Sequence, residues 1–135
     1  MNSDLIKQLT TKYPSIFQSL YSIECDDGWF NILDVACSCI QTGVELLPEE
    51  FRSELYAVQI KEKFGSLVIH MNHTTPYISG IIAMARSIST KTCEKCELPG
   101  KLRPSSWVRT LCDLHYEDHN NIMKLAFEKA AANQT

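Results

Sequence analysis

Cys93-Glu94-Lys95-Cys96 and, fifteen residues later, Cys112-Asp113-Leu114-His115 decide how this 135-residue chain is read. Two ligand-type side chains separated by two residues sit on one tight turn, so both donor atoms can reach a single point. A second such pair brings the donors to four. Sulfur and imidazole at roughly 2.0–2.3 Å are what zinc accepts in a tetrahedron, with no redox demand. The spacing therefore predicts one Zn2+ held by Cys93, Cys96, Cys112 and His115. Four protein ligands leave no position for water, whereas a catalytic zinc keeps one open, so the predicted ion is structural.

The residues between the pairs suit a small hairpin. Lys101-Leu102-Arg103 and Trp107-Val108-Arg109-Thr110-Leu111 flank a turn at Pro104-Ser105-Ser106. A helical pattern follows from about Asp113 to Ala131, with residues 130–135 expected to fray. Knuckle, hairpin and helix together make a treble-clef-like finger. A flat zinc ribbon, with the second pair on another knuckle, is the alternative; the helical character after His115 favours the first. Trp107 and Leu111 are expected to pack under the finger.

Outward toward the N-terminus the periodicity changes twice. Leu5, Ile6, Leu9, Ile16, Phe17 and Leu20 suggest helix over residues 4–21, capped by Ser3 and divided at Pro14. Trp29, Ile32, Leu33, Ala36, Cys37 and Ile40 share one face of a longer helix that ends or weakens near Gly43. Pro48-Glu49-Glu50 starts a short helical connector. Over residues 56–71 the period becomes two. Tyr56, Val58 and Ile60, then Leu67, Ile69 and Met71, predict a β-hairpin with a loop longer than two residues near Phe64-Gly65. Thr75-Pro76 is a cap followed by a first helical residue, and Ile78, Ile81, Ile82, Ala85 and Ile88 form the stripe of the next helix. The reading is an α+β domain, helices on a small antiparallel sheet. Residues 1–90 form the core and residues 91–135 the finger and last helix, packed as one unit.

Charge is uneven. The net value is −3, yet residues 91–112 carry five basic side chains against two acidic ones. The finger is a basic island on an acidic protein, and a dedicated nucleic-acid binder usually carries a basic surplus overall. No apolar run is long enough to cross a bilayer, and residues 1–11 lack the pattern of a signal peptide. The expected compartment is reducing and cytoplasmic, where six cysteines favour metal over disulfides.

Other chemistry-bearing residues have weaker patterns. Cys37 lies on an apolar helix face, where an inert buried thiol is the ordinary reading. Cys25, Cys39, His70 and His73 could form a second metal site, but no knuckle spacing supports one. His119, one turn after His115, suits exposure or outer-shell support of the ligands. Asp118-His119-Asn120 echoes nucleases of the HNH type, which need a histidine on the hairpin; residues 101–111 have none. Asp26, Asp27 and Asp34 could hold a cation, although acidic residues also favour helix N-termini without one.

Two segments, Ile60-Lys61-Glu62-Lys63-Phe64-Gly65-Ser66-Leu67 and the run from Cys93 through Pro99-Gly100-Lys101-Leu102-Arg103 and Trp107 to His115, resemble a group of small zinc-finger proteins. These are encoded by phages, prophages and some bacterial genomes and have no assigned activity. The resemblance covers roughly residues 25–115. Relatives place glycine where this chain has Glu97, a position that often needs a left-handed backbone. They also tend to have Arg-Phe-Tyr where this chain has Val68-Ile69-His70. The resemblance implies a phage-related accessory protein in the bacterial cytoplasm that binds or inhibits a host protein, including defence proteins. A non-catalytic protein-binding module is thus the first functional expectation. The alternative is a nucleic-acid-binding regulator, with Lys95, Lys101, Arg103 and Arg109 on phosphates and Trp107 stacking. An enzyme acting through the histidines or a second metal is the third.

Overall fold

A computed structural model describes residues 1–20 and 22–134, and these form an α+β fold with five α-helices and two small antiparallel hairpins. Helix α1 spans Ser3–Lys12. Its cap is Asn2, one residue before the expected Ser3, whose side chain accepts from the Leu5 N–H at 3.0 Å. The expected second helical segment after Pro14 is a run of turns instead, and Tyr21 lies outside the described residues. Ile16 and Phe17 are nonetheless buried, on isolated turns such as the Phe17 N–H to Tyr13 carbonyl at 3.2 Å that do not propagate into a helix.

A single 3-10 turn, Asp27–Trp29, leads into α2, Phe30–Glu45. Gly43 does not end this helix. It is buried within it, against the Tyr77 ring. The connector α3, Glu49–Arg52, is present as expected. Strands β1, Ala57–Lys63, and β2, Ser66–Met71, pair antiparallel with Lys63 opposite Ser66. The loop is therefore two residues long, shorter than the sequence suggested. Phe64 and Gly65 both take positive φ, at 50° and 79°, as a tight turn matched to strand twist requires. An irregularity between Ala57 and Gln59 shifts the phase of β1. Ala57 and Ile60 point inward, and Val58, expected on the buried face, is exposed.

Helix α4, Pro76–Ser89, starts on Thr75, whose hydroxyl accepts from the Ile78 N–H at 3.3 Å. It packs between α2 and β2. Ser89, buried at its end, accepts the Leu67 N–H at 2.8 Å and so ties helix to hairpin. Ile88, expected in the stripe, is exposed. The apolar core runs through Leu9, Trp29, Leu33, Ile40, Ile60, Leu67 and Ile78, all essentially inaccessible to water. The finger follows as β3, Lys101–Arg103, β4, Arg109–Leu111, and α5, Asp113–Ala132. None of these helices is long and apolar enough to cross a membrane.

Candidate metal centre

The first knuckle begins at the end of α4. The Cys93 N–H donates to the Leu98 carbonyl at 2.7 Å and the Glu97 N–H to the Cys93 carbonyl at 3.0 Å, closing a loop around both sulfurs. Glu97 takes φ 69°, the left-handed backbone for which glycine is the easy residue. Its side chain finds a partner in the Asn31 amide, which donates to Oε1 at 2.7 Å. Strands β3 and β4 pair from Lys101–Leu111 to Arg103–Arg109 and return the chain to the knuckle. Cys112 is the N-cap residue of α5, and His115 sits in its first turn.

These elements bring the four donors within 4.8 Å of one another. The Cys96 and Cys112 sulfurs are 3.8 Å apart, and His115 Nδ1 lies 3.6 Å from the Cys93 sulfur and 3.3 Å from that of Cys112. A zinc tetrahedron with ordinary bond lengths has edges of about 3.8 Å between sulfurs and about 3.6 Å between sulfur and nitrogen. The donor set fits one metal ion. Burial pushes the Cys93 thiol up, but backbone N–H groups of Cys112, Cys96 and Lys95 outweigh it and bring it down to about 7. Donors aimed at sulfur favour the thiolate a metal needs. Among the described residues this is the only such cluster.

The finger is fastened to the core through a backbone seam. Buried Trp29 donates from Nε1 to the Thr92 carbonyl at 2.9 Å, and the Gly28 N–H donates to the Glu94 carbonyl at 2.7 Å. A Cβ on Gly28 would collide with the backbone carbonyls of Cys93 and Glu94, so only glycine allows this approach. Thr110, fully buried, donates its hydroxyl to the Gly65 carbonyl at 2.6 Å and joins the two hairpins.

Beside the seam lies a polar network that the sequence did not disclose. Glu94 is almost wholly buried, and Arg109 donates to it at 2.8 Å and to Asp26 at 2.6 Å. Lys95 reaches Asp26 at 3.0 Å. Burial raises the Glu94 carboxyl, and the hydrogen bond from Arg109 only partly offsets this. Burial also raises Asp26, but Lys95 and Arg109 outweigh it and hold that carboxyl below its usual range. The signal available was Asp26-Asp27-Gly28-Trp29, an acidic turn next to a glycine, but nothing in its spacing points 68 residues ahead to Glu94.

The other candidates fall as follows. Arg103 lies over the Tyr116 ring at 4.6 Å and pairs with Asp113 at 2.6 Å, pinning the hairpin to α5. Three of the four basic residues expected to meet phosphate are thus engaged within the protein, and Lys101 is exposed. Trp107 is not under the finger: it is 66% exposed, while Leu111 is buried as expected. Asp27 accepts from Asn2, and Asp34 accepts from Lys12 and Tyr13, so each of these carboxylates has a protein donor. Burial pushes the Cys25 and Cys37 thiols up to about 12, which makes them inert. His70 and His73 are exposed on and beyond β2, and His119 is half-buried. Comparison of the chain with family models, curated proteins and solved structures finds no match.

Proposed function

We propose that this chain is a non-catalytic protein-binding module braced by one structural Zn2+ in a treble-clef-like finger. The donor chemistry supports zinc, since three thiolates and one imidazole at tetrahedral spacing suit it without an open position. The observation that carries the binding role is the surface at the two hairpin tips. Phe64 is 76% exposed on a left-handed turn where Asn or Gly is favoured, and Trp107 is 66% exposed on the neighbouring hairpin. The two aromatics line one cleft with Glu62, Ser106 and Val108. Exposed aromatics on a rigid frame are the residue types that anchor protein interfaces. A strained aromatic kept in a turn is a cost to stability that invites a functional explanation.

The partner in this reading is a bacterial host protein, a defence protein among the possibilities, and the chain a phage-related accessory. That part rests on the resemblance of the IKEKFG hairpin and the finger, which is analogy. The nucleic-acid reading draws less support, because Arg103, Arg109 and Lys95 already have carboxylate partners. The test is affinity capture from a bacterial lysate, with and without nuclease, using the native chain, Trp107→Ala and Phe64→Asn. A specific protein captured by the native chain, resistant to nuclease and lost with both variants, is the expected result. Capture that disappears with nuclease, or that survives both substitutions, removes the proposal. Phe64→Asn is decisive because asparagine suits the turn: binding should fall while thermal stability holds or rises.

A further inference from the structure

The cleft at the two hairpin tips has a single charged lining residue. Glu62, Phe64, Ser106, Trp107 and Val108 enclose about 320 Å3, room for one inserted side chain. The Gly65 N–H donates to Glu62 Oε1 at 2.6 Å, which holds the carboxylate at the base of the turn that carries Phe64. Its second oxygen has no donor among the described residues. Nearby carboxylates differ. Asp26 and Glu94 both accept from Arg109, and Lys95 also reaches Asp26. Trp107 is braced on the opposite wall: its N–H donates to the Ser105 hydroxyl at 3.1 Å, and that hydroxyl donates to the Trp107 carbonyl at 2.6 Å. Lys63 Nζ lies 5.8 Å from the Phe64 ring centroid, but Lys63 is exposed and does not line the cleft.

Whatever covers this cleft also takes water from Glu62. An apolar side chain laid over Phe64 and Trp107 would leave that charge desolvated and unpaired, which is costly. An acidic side chain would add repulsion. A cation gains from every wall, because the aromatic faces attract it and the free carboxylate oxygen accepts from it. Of the two side-chain cations that stay charged at neutral pH, guanidinium suits the cleft better. It is planar, stacks on a ring while its edge donates to a carboxylate, and is more weakly hydrated than an ammonium.

We propose that the cleft receives an arginine side chain of the partner protein, stacked against Trp107 and Phe64 and bonded to Glu62. The assignment rests on the binding role proposed above and adds the chemistry of the anchor that the surface reads.

The test is an NMR titration of the zinc-loaded, isotope-labelled chain. It follows the Trp107 indole N–H, which Trp107→Phe distinguishes from that of Trp29. The probes are N-acetyl-arginine amide and its neutral isostere N-acetyl-citrulline amide. The arginine probe should bind saturably and about tenfold tighter than the citrulline probe. Glu62→Gln keeps an acceptor for the Gly65 N–H and removes the charge, so it should weaken the arginine probe about tenfold while thermal stability holds. Equal binding of the two probes, undiminished binding by Glu62→Gln, or an indole signal that the arginine probe does not move overturns the proposal. So does N-acetyl-lysine amide binding as tightly as the arginine probe. Lysate capture separates this proposal from the binding role itself. Glu62→Gln should lose the protein that the native chain retains. A protein lost with Trp107→Ala but kept by Glu62→Gln overturns the arginine anchor and leaves the binding role standing. Saturable arginine binding with no protein captured removes the role and upholds the guanidinium site.

Discussion

Residues 1–90 and residues 91–135 are held together by different physics. Every member of the apolar core cluster lies between Leu9 and Ala85. The finger adds only Cys93 and Leu111 to the buried apolar set. In place of a core it has the Cys3His cluster, the Arg109 network and the seam at Gly28. A region this poor in buried apolar surface cannot offset its own chain entropy by burial, and metal coordination is the usual remedy at this size. The helical part has an apolar core of its own. The contrast predicts that the two parts respond differently to the same insult.

The sharpest way to break the contrast is to remove a ligand. Cys96→Ser should abolish stoichiometric zinc and lower stability by several kcal/mol, since metal binding and folding are coupled. Chelation should do the same to the native chain. Finger amides, read by NMR, should lose dispersion while signals from α2, α4 and the β1–β2 hairpin persist. Unchanged zinc content in the variant would falsify the brace. Next comes Arg109→Met, which leaves Glu94 buried without its cation and should cost about 3 kcal/mol in urea unfolding. A loss under about 1 kcal/mol would mean that water already screens the pair.

Gly28→Ala asks how tightly the two parts touch. The added methyl meets backbone, which cannot rotate away, so about 1–3 kcal/mol should be lost together with some zinc affinity. An unaffected variant would show that the seam opens freely. The smallest effect belongs to the surface of the core. Hydrogen bonds from Lys12 and then Tyr13 hold Asp34 below the usual aspartate range. Because the folded value is the lower one, this stabilisation is present above the unfolded value and is lost as pH falls through the folded one. The gap in thermal midpoint between the native chain and Asp34→Asn should therefore be visible at neutral pH and close in strong acid. A gap that widened on acidification would reverse the assignment.

What the sequence disclosed follows the range of the interaction. The Thr75-Pro76 start, the position though not the length of the turn at Phe64-Gly65, and the two Cys/His pairs that cluster are local, and each was readable from neighbours within four residues. The left-handed position at Glu97 was expected only through the resemblance to proteins with glycine there, since a glutamate carries no such mark of its own. Residues 14–20 misled because Ile16 and Phe17 are apolar for packing reasons, and helical periodicity cannot tell burial in a turn from burial in a helix. Val58 misled because one irregular pairing in β1 inverts the alternation. The internal partners of Lys95, Arg103 and Arg109 were illegible. An ion pair spanning 83 residues, such as Arg109 with Asp26, leaves no mark on spacing.

The hydrogen bond from Trp29 to the Thr92 carbonyl has a consequence beyond holding two parts in place. It makes occupancy of the cysteine–histidine centre and integrity of the helical body thermodynamically reciprocal: whatever the ion contributes to one, the other returns as affinity for the ion. A substitution deep beneath α2, away from the four cysteine and histidine donors, should thus register as weaker zinc affinity in an equilibrium competition with a chelator. An ion bound there would gauge the condition of the whole chain.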